Sequence, residues 1–224
     1  SDGYISGRQG HAINAVSGTN IASGFVTDSQ GNYSFDIFEA LPELMEITFD
    51  GEGTDTITGE THKTRMSALL TKEDMEASNN KANVTYMTTL HNELTKDEIA
   101  IVKADASLSE SEKISEMKAI EISKQLKMSE SFGLSLEKLK DDPIEAEDID
   151  SISSAQKVHH TIETIAKGIE NDSDLSESSK SAITRSKILG SIVKRLKETS
   201  GKFDFGNSSK IREIYNEIES ETNV

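Results

Sequence analysis

The sequence predicts an α+β fold: a small N-terminal β-sandwich of about five to seven short strands, then a mainly antiparallel bundle of about five helices. Two compositional observations and one of pattern predict it. Nine of the 14 Gly lie in the first 70 of 224 residues, whereas Lys63 is the sole Lys there. Gly adopts the positive φ of tight hairpin turns, while Lys and Glu favour exposed helix surface. The apolar spacing also changes, from alternation before residue 70 to steps of three and four after it. The expected division is a β-sandwich over residues 1–70 and a helical bundle over 71–224.

The β region shows short runs between turn signals. Tyr4-Ile5-Ser6 is the first candidate strand. His11 to Val16 alternates weakly, with Ala12, Asn14 and Val16 on one face, and Ser17-Gly18-Thr19-Asn20 reads as a turn. Ile21 to Thr27 follows, with Ile21, Ser23 and Phe25 alternating. Asp28-Ser29-Gln30-Gly31-Asn32 is the strongest turn signal, because Asp, Gly and Asn each suit tight turns. Tyr33, Phe35 and Ile37 then have the spacing of a half-buried strand. Glu46-Ile47-Thr48-Phe49 opens another, ending in the Gly-rich stretch Asp50 to Glu60, and a last strand is expected over Thr64 to Ala68.

The helical region carries start signals. Thr95-Lys96-Asp97-Glu98 and Ser109-Glu110-Ser111-Glu112 both match the capping box, in which hydroxyl and carboxylate satisfy free N–H groups reciprocally. From Ser109 a helix is expected to about Lys127. Asp141-Asp142-Pro143 is a third start, an acidic cap followed by Pro where its missing N–H costs least. Ile152, Ala155, Val158, Ile162, Ile165, Ala166 and Ile169 form the clearest apolar stripe. Asn171 to Ser176 breaks it. One helix is expected over about Glu177 to Thr199, with Ile188, Leu189, Ile192, Val193 and Leu196 inward. Phe203 and Phe205 are expected to dock the connection to a last helix marked by Ile211, Ile214, Tyr215 and Ile218.

Charge narrows the function. With 40 Asp+Glu against 24 Lys+Arg the net charge is −16, which disfavours a phosphate-backbone or anionic-lipid footprint. No apolar run approaches the length of a membrane span. The absence of Cys excludes disulfides, thiolate metal sites and Cys nucleophiles. Gly-x-Ser-x-Gly, the phosphate-binding Gly-rich loop with Lys, and His-Glu-x-x-His are all missing, so no enzyme is expected. Ser1 opens the chain without a leader pattern, which reads as a fragment or a processed product.

Asp50, Glu52 and Asp55 are the candidate metal ligands. Their loop offers several oxygens, and its glycines let carbonyls turn inward, as Ca²⁺ requires; the other reading is a Gly-rich connection with solvated carboxylates. Asp28, Gln30 and Asn32 offer oxygens at alternate positions, as Ca²⁺ loops do; the favoured reading is a hairpin turn whose side chains bond their own backbone. Asn171-Asp172-Ser173-Asp174 is a third acidic loop that a metal could use; the favoured reading has Asp174 or Ser176 capping the next helix. His159 and His160, adjacent on a helix, point about 100° apart and cannot chelate one ion as an i, i+4 pair does. His159 reads as a satisfied, partly buried imidazole; His11, His62 and His91 are isolated in sequence.

Several motifs carry a resemblance. They are Asp2-Gly3-Tyr4-Ile5-Ser6-Gly7, Thr27-Asp28 through Gly31 to Tyr33 and Phe35, and Ile47-Thr48-Phe49 with Gly51, Gly53-Thr54-Asp55 and Thr58-Gly59. Thr88-Thr89-Leu90, Asp142-Pro143-Ile144 and Ala155-Gln156-Lys157-Val158 follow in order. Over roughly residues 1–170 the chain resembles β-sandwich-plus-helical modules of very large secreted adhesins of marine bacteria. Their N-terminal part is similar to carboxypeptidase-regulatory-like and B-type repeat domains. The family's Asp/Asn-rich insert in the first hairpin is missing here, and Tyr86-Met87 stands where Pro is usual.

The resemblance implies a non-catalytic extracellular module, structural or adhesive, of a larger bacterial surface protein. Its partners would be neighbouring modules of the same protein or identical subunits, with a cell-surface or glycan ligand and a structural Ca²⁺ as further expectations. One alternative is a self-assembling subunit of an extracellular filament or virion appendage, donating the strand Asp2 to Gly7 to a neighbour. Another is a glycan-binding or glycan-hydrolysing protein, which the scarcity of aromatic residues disfavours.

Overall fold

The computed structural model describes residues 4–142, 144, 146–173 and 175–222. Asp2, Gly3, Pro143 and Asp174, all used above, lie outside the described residues. Seven short strands form two antiparallel sheets, and helices follow, as the sequence predicts. The strands are β1 (Ile5–Ser6), β2 (Gln9–Asn14), β3 (Asn20–Val26), β4 (Leu44–Asp50), β5 (Gly53–Asp55), β6 (Thr61–His62) and β7 (Met66–Thr71). The larger sheet has the order β3-β2-β4-β7, and the smaller β1-β5-β6.

Register in the larger sheet follows the apolar pattern. Ala12 faces Ile47, and Ile47 faces Ala68, so these small and branched side chains share one face. Leu44 and Leu69 point to the other face, because alternate residues of a strand do. Gly10 of β2 is required here: a Cβ would stand 2.2 Å from the Phe25 ring and 2.7 Å from the Phe49 ring. The β2–β3 pairing shifts register twice, at Gly10/His11 and at Ala12/Ile13, with the extra residues on edge strand β3. One is Gly24, at φ 79°.

Tyr33 to Ile37 corrects the expectation of a strand. Tyr33, Phe35 and Ile37 are half-buried and alternate with exposed neighbours, yet the segment joins neither sheet. Its rings pack on the aromatic side chains of β3 and β4: Phe35 stacks on Phe25 at 4.7 Å between centroids, and Tyr33 meets Phe49 edge-on at 4.8 Å. The Tyr33 hydroxyl donates to the Ala82 carbonyl at 2.8 Å. Alternation thus reported the burial of side chains and not a ladder of backbone bonds. Conversely, β5 lies in the stretch read as loop and β6 directly after it, paired Gly53 to His62 and Thr54 to Thr61.

The helices are α1 (Lys72–Ala77), α2 (Tyr86–Ala104), α3 (Glu110–Phe132), α4 (Ile149–Glu170), α5 (Glu177–Ala182), α6 (Arg185–Glu198) and α7 (Ser208–Thr222), with a 3₁₀ turn at Glu137–Leu139. Ser109 caps α3 through the expected box with Glu112, and Gly133 in the left-handed region ends it. Thr95 does not begin a helix. It is buried inside α2, its hydroxyl donating to the Asn92 carbonyl at 2.7 Å; the start is Thr85, boxed with Thr88. Asp148, not Asp141 or Asp142, precedes α4. The single helix expected over Glu177 to Thr199 is two, because Thr184 takes an extended conformation and caps α6. Such a hydroxyl satisfies an N–H that a new helix start leaves free.

Helix α2 seals the outer edge of β7. The Thr89 hydroxyl accepts the Ser67 N–H at 2.9 Å, and the Thr88 hydroxyl donates to the Ser67 carbonyl at 3.0 Å. Asn92 adds bonds to Ser67 Oγ and Glu46 Oε1, each 2.9 Å. Side chains thereby close the strand edge at Ser67. One hydrophobic cluster then runs from the sheet (Ile47, Phe49, Ala68, Leu70) through Leu90 and Leu94 to Ile162, Ile165, Ile192, Leu196 and Ile214. A smaller cluster on the opposite sheet face joins Leu44 and Leu69 to Ile99, Val102 and Met117. Hydrophobic packing therefore crosses residue 70 without a break.

Leu90 is fully buried in the shared cluster. Leu90→Ala is expected to cost about 2–5 kcal/mol, and urea unfolding should lose the helical and the aromatic circular-dichroism signals in one coincident transition.

Candidate functional site

Arg8 lies in the link between β1 and β2 and is 1% exposed. A guanidinium remains charged inside a protein and needs acceptors. Nη1 donates to the Thr64 carbonyl at 2.6 Å and Nη2 to the Gly51 carbonyl at 2.7 Å. Room for it comes from Gly53, where a Cβ would meet Arg8 Cγ at 2.4 Å and Ile5 Cγ2 at 2.5 Å. Nη1 also faces His62 Nδ1 at 3.3 Å.

From His62 the contacts continue into the helices. Tyr86 is the first residue of α2, and its hydroxyl oxygen lies 2.5 Å from His62 Nε2 and 2.5 Å from His159 Nδ1 of α4. The two imidazoles lie nearly parallel, 5.7 Å apart. The network assigns the protons. Arg8 can only donate, so His62 Nδ1 accepts and Nε2 carries the hydrogen. Tyr86 then accepts from His62 and donates to His159 Nδ1. Arg8, His62, Tyr86 and His159 thus form one directed chain joining the small sheet to α2 and α4.

Burial disfavours charge throughout this chain. It pushes the His62 imidazole down to about 3, helped by the Arg8 cation, and His159 down to about 4. The Tyr86 phenol is raised for the same reason. Beside it, Arg185 of α6 grips Glu163 of α4 with two bonds, Nε to Oε1 at 2.6 Å and Nη2 to Oε2 at 2.8 Å. Burial would raise the Glu163 carboxyl, but the Arg185 bonds outweigh it and lower it. Arg8 Nε is buried in the same seam without a hydrogen-bond partner, and the Thr64 side chain bonds the Tyr86 phenol.

A second polar cluster braces the helices. Lys140 Nζ bonds Asp74 Oδ2 of α1 at 2.6 Å and Glu121 Oε1 of α3 at 2.7 Å, and Gln125 donates to the same Glu121 oxygen. Glu121 is 1% exposed, and burial raises its carboxyl despite Lys140. His91 Nε2 reaches the Glu121 carbonyl at 3.1 Å, and burial lowers its imidazole to about 4.

The residues expected to hold a metal have protein partners. Asp50, at the end of β4, faces His11 Nδ1 at 3.5 Å and Arg65 Nε at 3.3 Å, and Glu52 faces Lys63 at 3.6 Å. Asp55 is 2% exposed and its Oδ1 accepts the N–H groups of Ile57 and Thr58 at 2.9 and 2.8 Å, closing the β5–β6 turn. Asp50, Glu52 and His11 share a surface recess of about 340 Å³ with Gln9 and Ser23, away from Asp55. Among the described residues no group of three or more His, Asp or Glu is placed to hold a metal ion. Asp28 closes its turn as expected, accepting from Gln30 and Asn32 N–H at 2.8 and 2.9 Å.

His159 is half-buried and bonded, as expected, but its convergence with His62 through Tyr86 was not foreseen. The four residues of the chain lie far apart in sequence, and none sits in a motif. Compared with protein-family models, curated proteins and solved structures, the chain matches none.

Tyr86→Phe keeps the ring and removes the oxygen that both imidazoles use. A buried donor and a buried acceptor are then unsatisfied, at about 1–3 kcal/mol, and the urea midpoint at pH 7.5 should fall accordingly.

Proposed function

We propose that this chain is a non-catalytic structural module of a larger extracellular bacterial surface protein, and that its sheets and helices act as one mechanical block. The observation that carries this reading is the seam itself. A continuous hydrophobic cluster and a buried chain of hydrogen bonds tie the β region to α2 and α4. The order of motifs from Tyr4 to Val158, similar to that of modules in very large marine adhesins, supports the extracellular setting. No helix among the described residues is long and apolar enough to cross a membrane. The buried ionisable groups described above are held by side-chain and backbone partners of their own chain. The filament alternative is less well supported, because Ile5 and Ser6 already pair with Asp55 and Thr54 of their own chain.

Pulling the chain between its termini in an optical trap tests the mechanical reading. Sheets and helices should rupture together in one step; separate steps for the β region and the helices would overturn it. The cellular setting is tested by antibody labelling of intact cells of the source organism, which should stain without permeabilisation. Calcium is a separate question. Arg65 beside Asp50, and Lys63 beside Glu52, oppose a cation, so millimolar Ca²⁺ or a chelator should leave the melting temperature within about 1 °C, whereas a bound structural ion would raise it by mass action.

A further inference from the structure

We propose that the His62–Tyr86–His159 bridge is an acid-sensitive latch: while both imidazoles are neutral it holds the small sheet against α2 and α4, and protonation of either one breaks it and loosens that contact. The geometry sets the rule. His62 gains a proton only on Nδ1, the nitrogen facing the Arg8 guanidinium at 3.3 Å, so two cations would meet. His159 gains a proton only on Nδ1, the nitrogen that accepts from Tyr86. Tyr86 would then face two imidazole donors, and its own hydrogen would have to leave His159. A transition metal in place of the Tyr86 hydrogen bonds would need a lone pair on His62 Nε2, and Arg8 keeps that nitrogen protonated.

Among the described residues, the charged and titratable groups around the bridge come from each element packed on it. They are Arg8, Asp55 of β5, Glu163 and His160 of α4, and Arg185 of α6. Glu163 is a compensating charge for both imidazoles and is already held by both arms of Arg185. It therefore does little to ease protonation of His159. Asp55 is likewise engaged by its own turn.

The direction of the pH effect follows from linkage. His62 and His159 have folded values of about 3 and about 4, below the 6.5 of a free imidazole. The opened state therefore binds more protons, and the latch is fully effective above pH 6.5 and weakens as pH falls toward 4. Between pH 7 and 5 each histidine raises the opening constant by roughly 25-fold, and the pair by roughly 600-fold. The carboxylates held low by ion pairs act below this window, near their ordinary range of about 4.

The experiment is native-state hydrogen exchange on the full chain at pH 7 and pH 5, corrected for intrinsic rates and read at amides of the first turns of α2 and of α4 around His159. In the unaltered protein their opening constant should rise by several hundred-fold. In His62→Gln/His159→Asn, whose amides keep the Nε2 donor and the Nδ1 acceptor without titrating, the rise should be under about 5-fold. Equal pH dependence in both proteins overturns the latch. So does acceleration confined to the α2–α3 contact around His91, which would assign the effect to that imidazole. Should the double variant fail to fold, NMR titration of the unaltered protein decides. Histidine signals from 62 and 159 that titrate below pH 5 support the latch; either one titrating near 6.5 overturns it.

Discussion

A buried guanidinium is the constraint around which the rest of the molecule is arranged. Arg8 cannot shed its charge, so the chain must bring acceptors to it. Gly51, Thr64 and His62 do so from the two ends of the β5–β6 hairpin. That demand explains why the hairpin folds back over the β1–β2 link and why position 53 has no side chain. It also fixes the tautomer of His62, and through it the direction of each hydrogen bond as far as α4. Replacing the ion with apolar packing need not destabilise the fold, since buried charges are weak sources of stability and stronger sources of unique geometry.

The two halves join by two different kinds of contact. Apolar packing makes the join favourable, and it is non-directional. The threonines at the start of α2, bonded to both polar backbone groups of Ser67, make it specific. A helix held only by Leu90 and Leu94 could slide along β7; one held by Thr88 and Thr89 as well has a single register. The same turn of helix carries Tyr86 into the seam, so alignment of α2 on the sheet and completion of the imidazole bridge are one event.

Much of the architecture was legible in the sequence, because periodicity and caps are local properties. The strands around Ala12, Phe25 and Ile47, the Ser109 start and the Ile152 to Ile169 stripe all rest on spacing within one element. What was not legible depended on tertiary context. Tyr33, Phe35 and Ile37 alternate because their rings cover an aromatic patch, a reason the sequence shares with a strand. Thr95-Lys96-Asp97-Glu98 satisfies the capping pattern, yet Thr85 begins the helix ten residues earlier and the later box is simply helix. The bridge was invisible for a similar reason. His62 and His159 are isolated on the chain, and only the packing of α2 on α4 and beside His62 puts a phenol between them.

The edge strand β3 has a consequence for crowded assemblies. Its two extra residues relative to β2 kink and over-twist its free side, so the exposed row of amides and carbonyls is no longer a straight template. Molecules set side by side at high local concentration, as repeated segments of one long polymer would be, run a constant risk of zipping sheet to sheet. A crooked border of this kind lets neighbours touch without fusing.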